Sequence, residues 1–85
     1  MASYSLLIKP SAAKELETVP KKDRLRIVRK IQSLARDPRP IGSEKLTGRE
    51  QYRLRQGRFR ILYSILEAER IVLIVKIAHR KEAYR

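Results

Sequence analysis

Tyr52-Arg53-Leu54-Arg55-Gln56-Gly57-Arg58-Phe59-Arg60-Ile61 is the stretch that decides how this chain folds. Apolar and cationic residues alternate on both sides of a single Gly, the pattern of two strands joined by a tight turn. With Gly57-Arg58 as the loop, Arg55 faces Arg60 and Leu54 faces Ile61; with Gln56-Gly57, Arg53 faces Arg60 and Leu54 faces Phe59. Either register sends Tyr52, Leu54, Phe59, Ile61, Tyr63 and Ile65 to one face. Arg53, Arg55, Arg58 and Arg60 go to the other. A three-residue loop would mix the two sets.

Downstream, Ile71–Val75 is unbroken aliphatic, which predicts a central strand covered on both faces, running from Ile71 to Ala78. The hairpin strands are predicted over Tyr52–Arg55 and Arg58–Leu66. On the last strand Val72, Ile74, Lys76, Ala78 and Arg80 share a side by strict alternation. If that is the Arg side, Lys76 and Arg80 extend the cationic surface. Upstream, Pro38–Glu50 reads as a loop, with Pro, Gly42, Ser43 and Gly48 clustered. Before it, Ile27, Val28, Ile31, Leu34 and Ala35 follow helical spacing across Lys21–Asp37, and Pro38 and Pro40 end that helix. A shorter helix is predicted after Pro10, with Ser11 as its N-cap and Ala12, Ala13, Leu16 and Val19 on one side. Tyr4, Leu6 and Ile8 alternate as a short first strand. The order β-α-α-β-β-β predicts an α+β fold, a mainly antiparallel sheet packed against an N-terminal helical hairpin, as one domain over residues 1–85.

Composition narrows the function. The chain has 85 residues, 21 Lys plus Arg against 9 Asp plus Glu, and a net charge of +12. A surface this cationic favours a polyanionic partner. A chain of this length buries only about 60–65% of its unfolded surface, so the core is thin. There is no Cys and one His, which excludes disulfides, thiolate metal sites and Cys nucleophiles and leaves almost nothing for zinc. Three Gly exclude a Gly-rich dinucleotide loop. No apolar run reaches the length of a membrane span, and no signal-peptide pattern opens the chain. We therefore expect a soluble, cytoplasmic protein with no membrane association, no metal and no cofactor.

Stacked arginines repel one another across a strand pair. A polyanion removes the repulsion, and Arg binds phosphate with two parallel hydrogen bonds. A solvated edge made basic against aggregation would serve equally well with Lys, and here all four residues are Arg. Of the five aromatic residues only Phe59 lies inside the Arg run, and it points the other way, so a base-stacking sheet is not expected.

Asp37-Pro38-Arg39-Pro40, Lys45-Leu46-Thr47-Gly48, the hairpin through Tyr63, and the ending His79-Arg80-Lys81-Glu82-Ala83-Tyr84 together resemble the RelE branch of the RelE/ParE toxin superfamily. Ala13-Lys14-Glu15-Leu16 also fits, and the resemblance covers essentially the whole chain. It implies a ribosome-dependent mRNA interferase, an endoribonuclease that enters the ribosomal A site and cuts translated mRNA. It implies a cognate antitoxin that wraps the toxin, with operator DNA bound only through the antitoxin complex. By position, Arg53 and Arg55 match two basic residues on the first hairpin strand, Arg60 the Arg after the turn, Arg80 the basic residue ending the last strand, and Tyr84 the C-terminal Tyr. Several relatives carry Lys where this chain has Arg53 and Arg55, and an Arg cannot serve as an ordinary base.

RNA supplies its own nucleophile, the 2′-hydroxyl, so metal-independent cleavage needs cations and acid–base groups. The expected catalytic set is Arg60, Arg80, Tyr84 and Arg55; Arg53, Arg58, Lys76 and His79 are expected to bind RNA. Arg60 and Arg80 would hold the scissile phosphate, and Tyr84 or His79 would move protons. The products would be a 2′,3′-cyclic phosphate and a 5′-hydroxyl. Two other functions fit the same features: a ParE-like inhibitor of DNA gyrase, and a non-catalytic basic nucleic-acid-binding module.

Overall fold

The computed structural model describes residues 3–46, 48 and 50–79. The elements run β1 (Ser5–Ile8), α1 (Pro10–Glu17), α2 (Lys21–Ser33), β2 (Glu44–Lys45), β3 (Gln51–Gln56), β4 (Phe59–Leu66) and β5 (Ile71–His79). They form an α+β fold around one sheet of strand order β1-β5-β4-β3-β2. Only β1 and β5 run parallel; the other neighbours are antiparallel. Among the described residues no helix is long and apolar enough to cross a membrane.

The hairpin turns at Gly57-Arg58, so Arg55 lies opposite Arg60 and Leu54 opposite Ile61. Gly57 takes φ +60°, the left-handed value that the first loop position of a II′ turn demands. Both helices pack on the apolar face, α1 against β5 and α2 against β3. Ala12, Val19, Ile27, Ile31 and Leu34 from the helical layer meet Tyr52, Leu54, Ile61, Tyr63, Ile65, Val72, Ile74 and Ile77 in one buried cluster.

Three expectations need correction. The segment 38–50 is not all loop, because Glu44 and Lys45 pair with Arg53 and Tyr52 as β2. Two residues are too few to show an alternation in sequence. Helix α1 begins at Pro10, with Lys9 as N-cap and no side-chain cap. Proline suits the first helical position, since its missing N–H would find no partner there. Finally, β5 is covered by helices on one face only, and it does not keep strict alternation. The register passes from Leu62 opposite Lys76 to Tyr63 opposite Ile74, leaving Val75 as a bulge. Val72 and Ile74 therefore face the helices, and beyond the bulge Ile77 and His79 do. Lys76 and Ala78 face the open side with Leu62 and Arg60, as Ile71 and Leu73 do before it.

The end of the sheet away from the Gly57 turn is clamped by tyrosines. Tyr52 and Tyr63 stack at 5.6 Å. The Tyr63 hydroxyl donates to the Pro38 carbonyl at 2.7 Å. Arg39 donates from Nε to the Tyr52 hydroxyl at 3.0 Å and pairs with Glu67 at 3.0 Å, and Glu67 also accepts from the Tyr4 hydroxyl. The Tyr4 hydroxyl first, and Arg39 second, hold the Glu67 carboxyl below the usual carboxylate range.

Tyr63 is fully buried, and that burial pushes its phenol up to about 12. The folded value lies above the unfolded one near 10, so the contribution is whole below pH ~10 and lost as pH rises toward ~12. A rise from about 10 to about 12 corresponds to ~2–3 kcal/mol. Denaturation of the parent and of Tyr63→Phe at pH 9 and pH 12 checks this: the parent's advantage over the variant is expected to shrink by that amount. An unchanged difference would contradict it.

Candidate nucleic-acid interface

The open face of the sheet carries two kinds of surface. Toward β1 it is aliphatic. Leu7 lies opposite Leu73, and Leu62, Leu66 and Ile71 share that side. Toward β3 and the turn it is cationic. Arg53, Arg55 and Arg60 stand on adjacent strands and on one face, with directly opposed Cβ atoms about 4.5–5.5 Å apart in such pairs. This follows from the sequence: period-two alternation on both strands, held in register by a loop whose glycine fits.

The three arginines are in different states. Arg55 is exposed. Arg53 reaches Glu44 of β2 through Nη2 at 3.3 Å, leaving its side chain about a quarter exposed. Arg60 is 3% exposed, the one buried charged residue among those described. It sits mid-sheet between Arg55 and Ala78. A guanidinium at such a place keeps its charge, because Arg does not deprotonate in proteins. A poorly hydrated cation also attracts an arriving anion more strongly than a solvated one.

The remaining expected site residues divide. Arg58 lies exposed in the two-residue loop, on neither strand face. Lys76 shares the Arg60 face by register, but its ammonium turns to Glu15 of α1 at 2.8 Å. His79 lies opposite Phe59, on the helix side, and meets that ring edge-on at 5.4 Å. The bulge sets both register positions, Lys76 on the arginine face and His79 on the helix face, while the Lys76 ammonium is drawn off to Glu15. Arg80 and Tyr84 lie outside the described residues. Among the described residues no three His, Cys, Asp or Glu come together as metal ligands.

Glu15 was legible only as a helix residue, and its place here is a finding. Its carboxylate accepts from the Ile77 amide at 3.0 Å as well as from Lys76. It thereby ties α1 to the part of β5 beyond the end of β1. A hydrogen bond to a charged group contributes roughly 1.5–3 kcal/mol. With the Lys76 and Glu15 side chains 42% and 31% exposed, the lower end applies. Glu15→Ala is expected to cost about 1–2 kcal/mol in urea denaturation, and Glu15→Gln less than half of that. Equal losses for both would show that charge is irrelevant at this contact.

Residues 6–84 match the profile of the family described as the ParE toxin of type II toxin–antitoxin system, parDE. The chain belongs to this toxin family. Its relatives include a protein of Methanocaldococcus jannaschii named as toxin RelE1, 30% identical over 96% of both chains. Among solved structures, the archaeal RelE–RelB complex from Pyrococcus horikoshii contains a chain that is 27% identical. That chain has a TM-score of 0.80, over 94% of the present chain and 97% of the other. The RelBE2 toxin–antitoxin complex of Mycobacterium tuberculosis gives a TM-score of 0.81 at 23% identity, over 92% and 99% respectively, and supports the fold alone. The RelE-type α+β architecture expected from the sequence is thus the one observed.

Proposed function

We propose that this RelE/ParE-family toxin is a ribosome-dependent endoribonuclease that cuts translated mRNA on the arginine face of its sheet. One observation carries the reading: Arg53, Arg55 and Arg60 share one open face, with Arg60 buried at its centre. Arg53 and Arg55 hold flanking phosphates, and Arg60 holds the scissile one. The substrate's 2′-hydroxyl gives up its proton and attacks phosphorus. The bond to the 5′-oxygen then breaks, and that oxygen takes a proton. A 2′,3′-cyclic phosphate and a 5′-hydroxyl result. Arg60 gains most as negative charge builds on the phosphoryl oxygens, which is where a fixed cation lowers the barrier. From the resemblance, Arg80 shares the charge and Tyr84 moves a proton. His79 has no proton-transfer role in this reading, because its ring packs on Phe59 behind the sheet.

The partner that restrains the toxin is read in the same way. The Pyrococcus and Mycobacterium proteins were solved as toxin–antitoxin complexes. For this chain we assign a cognate antitoxin as partner. A cleft of about 190 Å³ beside β1, lined by Leu6, Leu7, Ile8, Leu16, Val28 and Ile31, offers such a partner an apolar foothold. The edge strand β1 has Leu7 about half exposed.

Mapping RNA 5′ ends in cells after brief induction tests the activity. Cuts confined to translated regions are expected, and they should vanish when translation is blocked beforehand. Growth arrest with intact transcripts, or with a DNA-damage response in their place, would refute the reading.

A further inference from the structure

Helix α2 carries a second cationic surface, on the side turned from the core. At ~3.6 residues per turn, Lys22, Arg26, Arg29, Lys30 and Ser33 fall in one stripe about a quarter of the circumference wide, opposite Ile27 and Ile31. Arg26 and Arg29 are exposed. Among the described residues none of these cations forms an ion pair with an acid, and the helix has one acidic residue, Asp23, at its start. Like charges at i,i+3 and i,i+4 oppose helix formation, so this row has no stabilising role. Arg26, Arg29, Lys30 and Ser33 join Gln56, at the end of β3, around a shallow hollow of about 320 Å³. The Ser33 hydroxyl donates to the Lys30 carbonyl at 2.6 Å. Its oxygen can still accept from a sugar hydroxyl.

We propose that this ridge is a docking surface for double-helical RNA, separate from the strand held on the sheet. A single strand is bound by stacking its bases on aromatic rings, and neither α2 nor the hollow contains one. What the ridge offers is a straight row of cations, on a helix about 20 Å long by its rise per residue. A hydroxyl and an amide lie at one side. That set reads phosphates and 2′-hydroxyls, and it is indifferent to sequence. The charge row stands independently of the cleavage reading. The choice of RNA over DNA rests on that reading, in which the working environment is the ribosome.

Anisotropy titration of the purified full chain with an RNA duplex of about 16 base pairs, over a range of salt concentrations, tests the proposal. Arg26→Gln/Arg29→Gln/Lys30→Gln, with its fold checked by circular dichroism, is expected to bind at least about tenfold more weakly. Its slope of log K against log salt should be shallower by about two to three, at ~0.9 per lost phosphate contact. Arg53→Gln/Arg55→Gln should keep most of the duplex affinity. Parental affinity and slope in the triple variant would overturn the proposal, whatever the outcome of the RNA mapping. A DNA duplex bound as tightly as RNA would overturn the assignment to RNA. Loss of duplex binding in the triple variant, with no transcript cut by the parent, would sink the cleavage reading and leave the ridge standing.

Discussion

Arg60→Gln is expected to lower transcript cleavage about 10²–10³-fold and to relieve growth arrest. That is the loss typical when a single preorganised charge-stabilising group is removed from a reacting centre. The residue is singled out by position: it lies in the middle strand, 3% exposed, with Arg55 on one flank and Ala78 on the other. Arg60→Lys keeps the charge and loses the planar two-pronged donor. It should recover only part of the activity. Counting 5′ ends per transcript after induction, beside circular dichroism of each purified variant, separates lost chemistry from lost fold. A folded Arg60→Gln protein that cuts like the parent would remove Arg60 from the mechanism. Exposed Arg55 and the Glu44-paired Arg53 are expected to show smaller losses, as flanking contacts do.

Ile27→Ala is expected to cost about 2–5 kcal/mol, the range for emptying a buried aliphatic site. Stability per residue in small domains is roughly 0.05–0.15 kcal/mol, so a chain of 85 residues holds about 4–13 kcal/mol in all. This one truncation thus takes a large share, because the core is a single layer of contacts between two helices and one sheet face. Ile27 is fully buried in that layer, whereas Leu25, two residues earlier on the same helix, is half exposed. Leu25→Ala should change stability by less than about 0.5 kcal/mol. Urea denaturation in the Arg60→Gln background avoids the toxicity of the active chain. Equal effects of the two substitutions would contradict the assigned helix face.

The hairpin was legible because two independent local signals agreed. Alternation over Tyr52–Arg55 and Phe59–Ile65 required a two-residue loop, and Gly57 could adopt the φ that such a loop needs. Helix α2 was legible from its Ile27–Ile31–Leu34 spacing. Strand β2 was not, since Glu44 and Lys45 are held by backbone pairing to β3 and carry no pattern of their own. The faces of β5 were misread for a related reason. An uninterrupted aliphatic run contains no marker of where its alternation slips, and the slip at Val75 falls opposite the step from Leu62 to Tyr63 on β4. The Glu15 contact with Ile77 and Lys76 joins residues about sixty positions apart, beyond any local pattern. Of the candidate site, the arginine face was readable, and the separation of His79 from it was not.

That single unpaired residue in β5 has a consequence for how the molecule tolerates insertions and deletions. Before it, odd-numbered side chains look outward; after it, even-numbered ones do. Deleting Val75 would close the bulge with Ile74 still opposite Tyr63 and Lys76 still opposite Leu62, leaving every downstream side chain on its present face; deleting a paired neighbour would send the side chains beyond it to the other face. In this strand, the number of paired residues, and not the number of residues, specifies which chemistry meets the solvent.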